Sequence, residues 1–143
     1  MDGGVNVLGI KIKYFWFQLG SVHLLNAFFS TVAVRLEKKV WGSRFPVIMT
    51  KLTKGKLTYY ESQNALEELE IIKKELQELS IEEVIWNIND QTISEPNGFK
   101  VDENTTNLSN YFKTINNEDL LSILYEAFSD SISLKEDLII HQD

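Results

Sequence analysis

Across Gln18-Leu19-Gly20 the hydrophobic period of this chain changes from two to between three and four. Before it, Val5, Val7, Ile10, Ile12, Tyr14 and Trp16 alternate with Asn6, Gly9, Lys11 and Lys13, the pattern of a half-buried strand running to Phe17. After it, Val22, Leu25, Phe28, Phe29, Val32 and Leu36 recur at helical spacing to about Lys39. Ser21 suits the N-cap, and Arg35, Lys38 and Lys39 suit the last turn, where cations favour the helix dipole. A strand followed at once by an amphipathic helix calls for a sheet with helices packed on it, and argues against a pure bundle or a pure sandwich.

The rest of the chain extends that pattern. Trp41-Gly42-Ser43-Arg44-Phe45-Pro46 reads as a turn, Val47 to Leu52 as a short helix ended by Gly55, and Lys56 to Tyr60 as a strand. Ser62 is the expected cap of a long helix to about Leu79, with Ala65, Leu66, Leu69, Ile72, Leu76 and Leu79 as its apolar stripe. Glu83 to Asp90 alternates as a strand, and Thr92 to Asn107 is a polar loop holding the turn signal Pro96-Asn97-Gly98. Leu108 to Thr114 fits either type, with Tyr111 and Phe112 leaning toward strand. Asn116 opens a last helix, Asp119 reaching back to it, with Leu120, Leu121, Leu124, Ala127, Phe128 and Ser131 buried. Leu138-Ile139-Ile140 closes the chain as a strand. The expected fold is α+β, a mixed or antiparallel sheet with about three main helices. A length of 143 residues without a linker or repeat fits one domain, residues 1–143, with 1–4 as a frayed terminus.

Chemistry is poorly supplied. There is no cysteine, which removes disulfides, thiolate zinc sites and thiol nucleophiles together. The two histidines, His23 and His141, lie far apart in sequence, and Ser21 and His23 sit two residues apart, on different sides of a helix. No Gly-rich phosphate loop occurs. Acidic neighbours such as Glu67-Glu68 and Glu82-Glu83 are expected by chance among 21 carboxylates. The reading is therefore no enzyme, no catalytic residue, no metal and no cofactor. Tyr14 to Leu36 is broken by polar residues too often to span a membrane, and no cleavage site follows Phe17, so a cytoplasmic location is expected.

Charge is split along the chain. Residues 1–60 carry nine Lys and Arg against Asp2 and Glu37, a balance of +7, whereas residues 61–143 carry five lysines against nineteen carboxylates, a balance of −14. The net charge of −7, with lysines scattered over several elements, disfavours nucleic acid as a partner. Trp41 and Arg44 fit two readings. One is a structural corner in which Arg44 bonds nearby carbonyls or a carboxylate. The other is a binding anchor, since Trp and Arg are enriched at hot spots.

The runs Lys13-Tyr14-Phe15-Trp16-Phe17-Gln18-Leu19-Gly20-Ser21, Asn26-Ala27-Phe28-Phe29-Ser30-Thr31 and Trp41-Gly42-Ser43-Arg44-Phe45-Pro46 resemble a family of small bacterial immunity proteins, the one numbered seventy. The likeness continues through Gly55-Lys56-Leu57, Lys73-Lys74-Glu75-Leu76 and Val84-Ile85-Trp86 to about residue 128. It implies an α+β protein that binds and neutralises a cognate toxin C-terminal domain, by stoichiometric binding without catalysis, beside a polymorphic toxin. It supplies no contact residues. If the toxin is a nuclease its cleft is basic, and an acidic face would block it. The candidates for that face are Glu67, Glu68, Glu70, Glu75 and Glu78, or Asp102 and Glu103, with Trp41 and Arg44 as anchors. The alternative is a regulatory or assembly module that binds itself or a host protein through the aromatic strand at Tyr14 to Phe17. Monomer and homodimer both remain open.

Overall fold

The computed structural model describes residues 7–93, 95 and 101–142. The alternating run at the start is not one strand but a hairpin, β1 (Leu8–Ile12) and β2 (Phe15–Gly20), joined by Lys13-Tyr14. Lys13 takes φ 53°, the positive value that favoured two-residue hairpin loops need at their first position. Ile12 pairs with Phe15, Ile10 with Phe17 and Gly9 with Gln18, so Gln18-Leu19-Gly20 belongs to the sheet and does not break it. Val5 and Asn6, like residues 1–4, lie outside the described residues.

β3 (Lys56–Leu57) and β4 (Leu138–Gln142) complete an antiparallel sheet of order β2-β1-β4-β3. Its inner face carries Ile10, Ile12, Leu57 and Leu138, all fully buried. On the outer face Lys11 stands beside Trp16 and Ile139, and Gly9 beside His141; apart from Gly9 these are exposed.

The first helix, α1 (Val22–Thr31), passes into a π-helical turn at Val32–Leu36 and stops there, with Lys38 and Lys39 both at positive φ. α2 (Pro46–Thr50) starts on a proline and is followed by a 3-10 turn that Gly55 ends at φ 94°, as its lack of a Cβ permits. α3 (Tyr59–Leu76) begins earlier than Ser62. Its cap is Thr58, whose hydroxyl accepts from the Glu61 N–H at 3.2 Å while the Glu61 carboxylate accepts from the Thr58 N–H at 2.8 Å. The expected strand therefore shrinks to two residues. Ser62 is buried inside the helix and bonds Ser131 across to α4 (Leu120–Leu134) at 2.9 Å. The N-cap position of α4 is Asp119, not Asn116, because Thr114 to Glu118 close a turn first, the Thr114 N–H donating to the Glu118 carbonyl at 2.8 Å.

Two further expected strands are absent. Residues 84–90 bend at Trp86 and turn at Ile88-Asn89, and their backbone partners are α1 side chains and not a strand. The Ile85 N–H donates to Thr31 Oγ1 at 3.0 Å, that hydroxyl donates back to the Ile85 carbonyl at 3.2 Å, and the Ile88 N–H donates to Ser30 Oγ at 3.0 Å. These bonds satisfy a buried backbone as a ladder would. Leu108–Asn110 is a 3-10 turn, after which Lys113 makes one isolated bridge to Asp119. Pro96-Asn97-Gly98 lies outside the described residues. Phe28, Phe112, Phe128 and Ile72 fill the centre, Phe28 meeting Phe112 edge-on at 5.8 Å. The architecture is an α+β domain of a four-stranded antiparallel sheet with helices. Among the described residues no helix is long and apolar enough to cross a membrane.

Candidate partner-binding surface

The corner after α1 is organised by a residue that sequence reasoning passed over. Glu37 is only 2% exposed, and its two oxygens accept from the backbone N–H groups of Gly42, Arg44 and Phe45 at 2.9, 3.0 and 3.0 Å. A buried carboxylate is tolerated where donors of this kind converge on it. The signal was one of only two acids in the basic half of the chain, just before a tight turn.

That turn is then tied to α3. Arg44 donates to the Leu36 carbonyl at 3.0 Å and through both terminal nitrogens to Glu75, and its guanidinium lies 4.9 Å from the Phe45 ring centroid. Trp41 Nε1 donates to the Met49 carbonyl, although the ring is 42% exposed. Glu68 accepts from the Val47 and Ile48 N–H groups at 3.1 and 2.8 Å, at the N-terminus of α2, where a carboxylate is favoured. Burial first, with help from the charge of Glu37, raises the Glu68 carboxyl above the usual value despite these bonds; the bond to Arg44 holds that of Glu75 below it.

The five candidate glutamates thus divide. Glu68 and Glu75, seven residues apart, flank the buried stripe and serve the corner. Glu67, Glu70 and Glu78 are exposed to solvent. Glu70 also stands on the rim of a groove of about 340 Å³ between α3 and α4, with Lys73, Lys74 and Gln77 beside it, Ser122 and Tyr125 opposite, and Leu69 and Leu121 as its floor. Asp102 and Glu103 form part of a separate loop. Asp102 accepts from the Asn104 N–H at 2.8 Å and from Asn117 Nδ2 at 3.0 Å, bonds that lower its carboxyl, the first more than the second. Glu103 is exposed.

His23 is exposed in the first turn of α1, and His141 lies edge-on to Trp16 at 6.2 Å on the outer sheet face. Among the described residues no three His, Cys, Asp or Glu side chains are grouped to hold a metal ion. The comparison that decides the family spans nearly all of this architecture: residues 10–140, from β1 to β4, match Immunity protein 70. The chain belongs to that family. No curated protein matches it, and neither does any solved structure. In this Immunity protein 70 member the corner built by Glu37, Arg44 and Glu75 is bonded internally, whereas Glu67, Glu70, Glu78 and Glu103 present carboxylates outward.

Proposed function

We propose that the chain binds a cognate toxin domain in the cytoplasm of the cell that makes it and neutralises it by stoichiometric occupancy, without catalysis. Membership of the Immunity protein 70 family across residues 10–140 is the observation that carries this reading. The exposed carboxylates of the α3 region suggest the mode. Glu67, Glu70 and Glu78 form an outward strip interrupted by Lys73 and Lys74, of which Glu70 lines the α3–α4 groove, and Tyr125, 51% exposed on its far wall, offers an aromatic contact. Such a strip suits a basic cleft of the sort a nuclease uses to hold phosphates. Asp102 and Glu103 are a second acidic patch for the same purpose. Trp41 keeps part of its ring at the surface, so it remains an anchor candidate, whereas Arg44, Glu68 and Glu75 would act by holding the corner in shape.

The test is capture of the C-terminal domain of the polypeptide encoded immediately upstream, with growth scored with and without co-expression. Tight binding and rescued growth are expected. A domain that is toxic, is not captured and is not relieved by co-expression would end this reading.

A further inference from the structure

β2 leaves one edge of the sheet open from Phe15 to Gln18 among the described residues. At its far end the edge is closed, since the Ile115 N–H donates to the Leu19 carbonyl at 2.9 Å. The open stretch, Phe15-Trp16-Phe17-Gln18, holds no charge and no proline, the usual protections of an exposed edge. Tyr14, Phe15 and Trp16 are 88, 53 and 38% exposed. We infer that this edge pairs with the same edge of a second copy, joining two four-stranded sheets across a two-fold axis at Trp16.

The register follows from the hairpin. Its two-residue loop closes on the pair Ile12–Phe15, so the hydrogen-bonding groups of Phe15 and Phe17 turn toward β1 and those of Trp16 and Gln18 turn outward. With Trp16 opposite Trp16 of the second copy, outward groups meet outward groups, and the two residues exchange both bonds. The sequence Phe-Trp-Phe is palindromic, so Phe15 then stands opposite the second copy's Phe17, on the face that carries the buried Ile10 and Ile12. The aromatic core face continues across the axis, and directly opposed aromatic pairs stabilise a sheet.

At roughly 200 Å² per aromatic side chain, the three exposed rings offer about 360 Å² per copy. Two copies together bring about 720 Å² of such ring surface to the seam, below the roughly 1,200 Å² at which specific interfaces become stable, so the dimer dissociates on dilution.

Sedimentation of the unmodified chain from low micromolar to about 1 mM is the first test. The mass should rise from one chain toward two, and Phe15→Lys should stay monomeric with its melting transition retained. Because the chain has no cysteine, register is read by mixing Phe15→Cys with Phe17→Cys. The Cα spacing of a non-hydrogen-bonded pair, about 4.5 Å, lies within disulfide range. The mixture should cross-link far more than either variant alone. A monomer over the whole range overturns the dimer, as does cross-linking that ignores the pairing. A monomer whose Phe15→Lys variant loses toxin capture would assign the edge to the toxin instead.

Discussion

The Glu75 carboxylate receives both terminal nitrogens of Arg44, at 2.6 Å from Nη1 and 2.5 Å from Nη2, and so joins α3 to the turn after α1. The pair is partly exposed, with 42 and 35% of the two side chains accessible, so its own contribution is small. Arg44→Lys loses the planar fork and the fixed bond to the Leu36 carbonyl, for a cost of about 1 kcal/mol. Urea unfolding measures it. A loss above about 3 kcal/mol would show a more deeply coupled corner.

Glu37 carries more of the same corner. Replacing it by alanine leaves three N–H groups without their acceptor at a nearly closed site. At about 1–3 kcal/mol for each unsatisfied group, Glu37→Ala should cost at least about 3 kcal/mol, several times the effect of Arg44→Lys. The ratio of the two urea midpoint shifts checks this ordering.

Opposite pKa shifts make Glu68 and Glu75 separable by pH. The Glu75 value is lowered on folding, so its stabilisation is present above the ordinary glutamate value of about 4.3 and is lost as pH falls through the folded value. The Glu68 value is raised, so stability declines as pH rises from the ordinary value through the folded one. Between about pH 3 and 7 the cost of Glu75→Gln should grow with pH while that of Glu68→Gln shrinks. Parallel slopes in urea titrations would contradict the assignment.

The corner and the strip also answer differently in toxin binding. Reversing Glu67, Glu70 and Glu78 to lysine together alters exposed positions, so melting should move little. If the strip faces a basic cleft, capture should weaken at least about tenfold and lose much of its salt dependence. Unchanged capture with an unchanged salt slope would remove these residues from the interface.

How far this was readable from sequence depends on the partner each element found. The α+β class and the buried stripe of α3 follow from periodicity, which reports the faces of an element directly. The start of α3 did not, although Thr58-x-x-Glu61 is a capping box in plain sight; Tyr59-Tyr60 has strand composition and outweighed it. The hairpin was hidden because Lys13-Tyr14 lacks the Gly or Asn that usually marks such a loop. Val84, Trp86 and Ile88 alternate as a strand would, but alternation shows neither the turn at Ile88-Asn89 nor that the backbone partners are the Ser30 and Thr31 hydroxyls. Within the site, Glu68 and Glu75 flank the stripe on the helical wheel and Glu67 and Glu70 oppose it, so their division was readable once the stripe was drawn.

The outer sheet face yields the most local prediction. A Cβ added at Gly9 would lie 2.3 Å from the Trp16 ring, far inside van der Waals contact, because the indole lies flat over that glycine. Gly9→Ala must therefore displace the ring, while the inner face, with Ile10 and Ile12, keeps its packing. A steric misfit of this size costs about 1–3 kcal/mol. The displaced indole also loses its edge contact with His141 and becomes more exposed than its present 38%. Tryptophan emission should shift to longer wavelength, with far-ultraviolet circular dichroism unchanged. An unshifted spectrum with full stability would mean that the ring does not rest on Gly9 in solution.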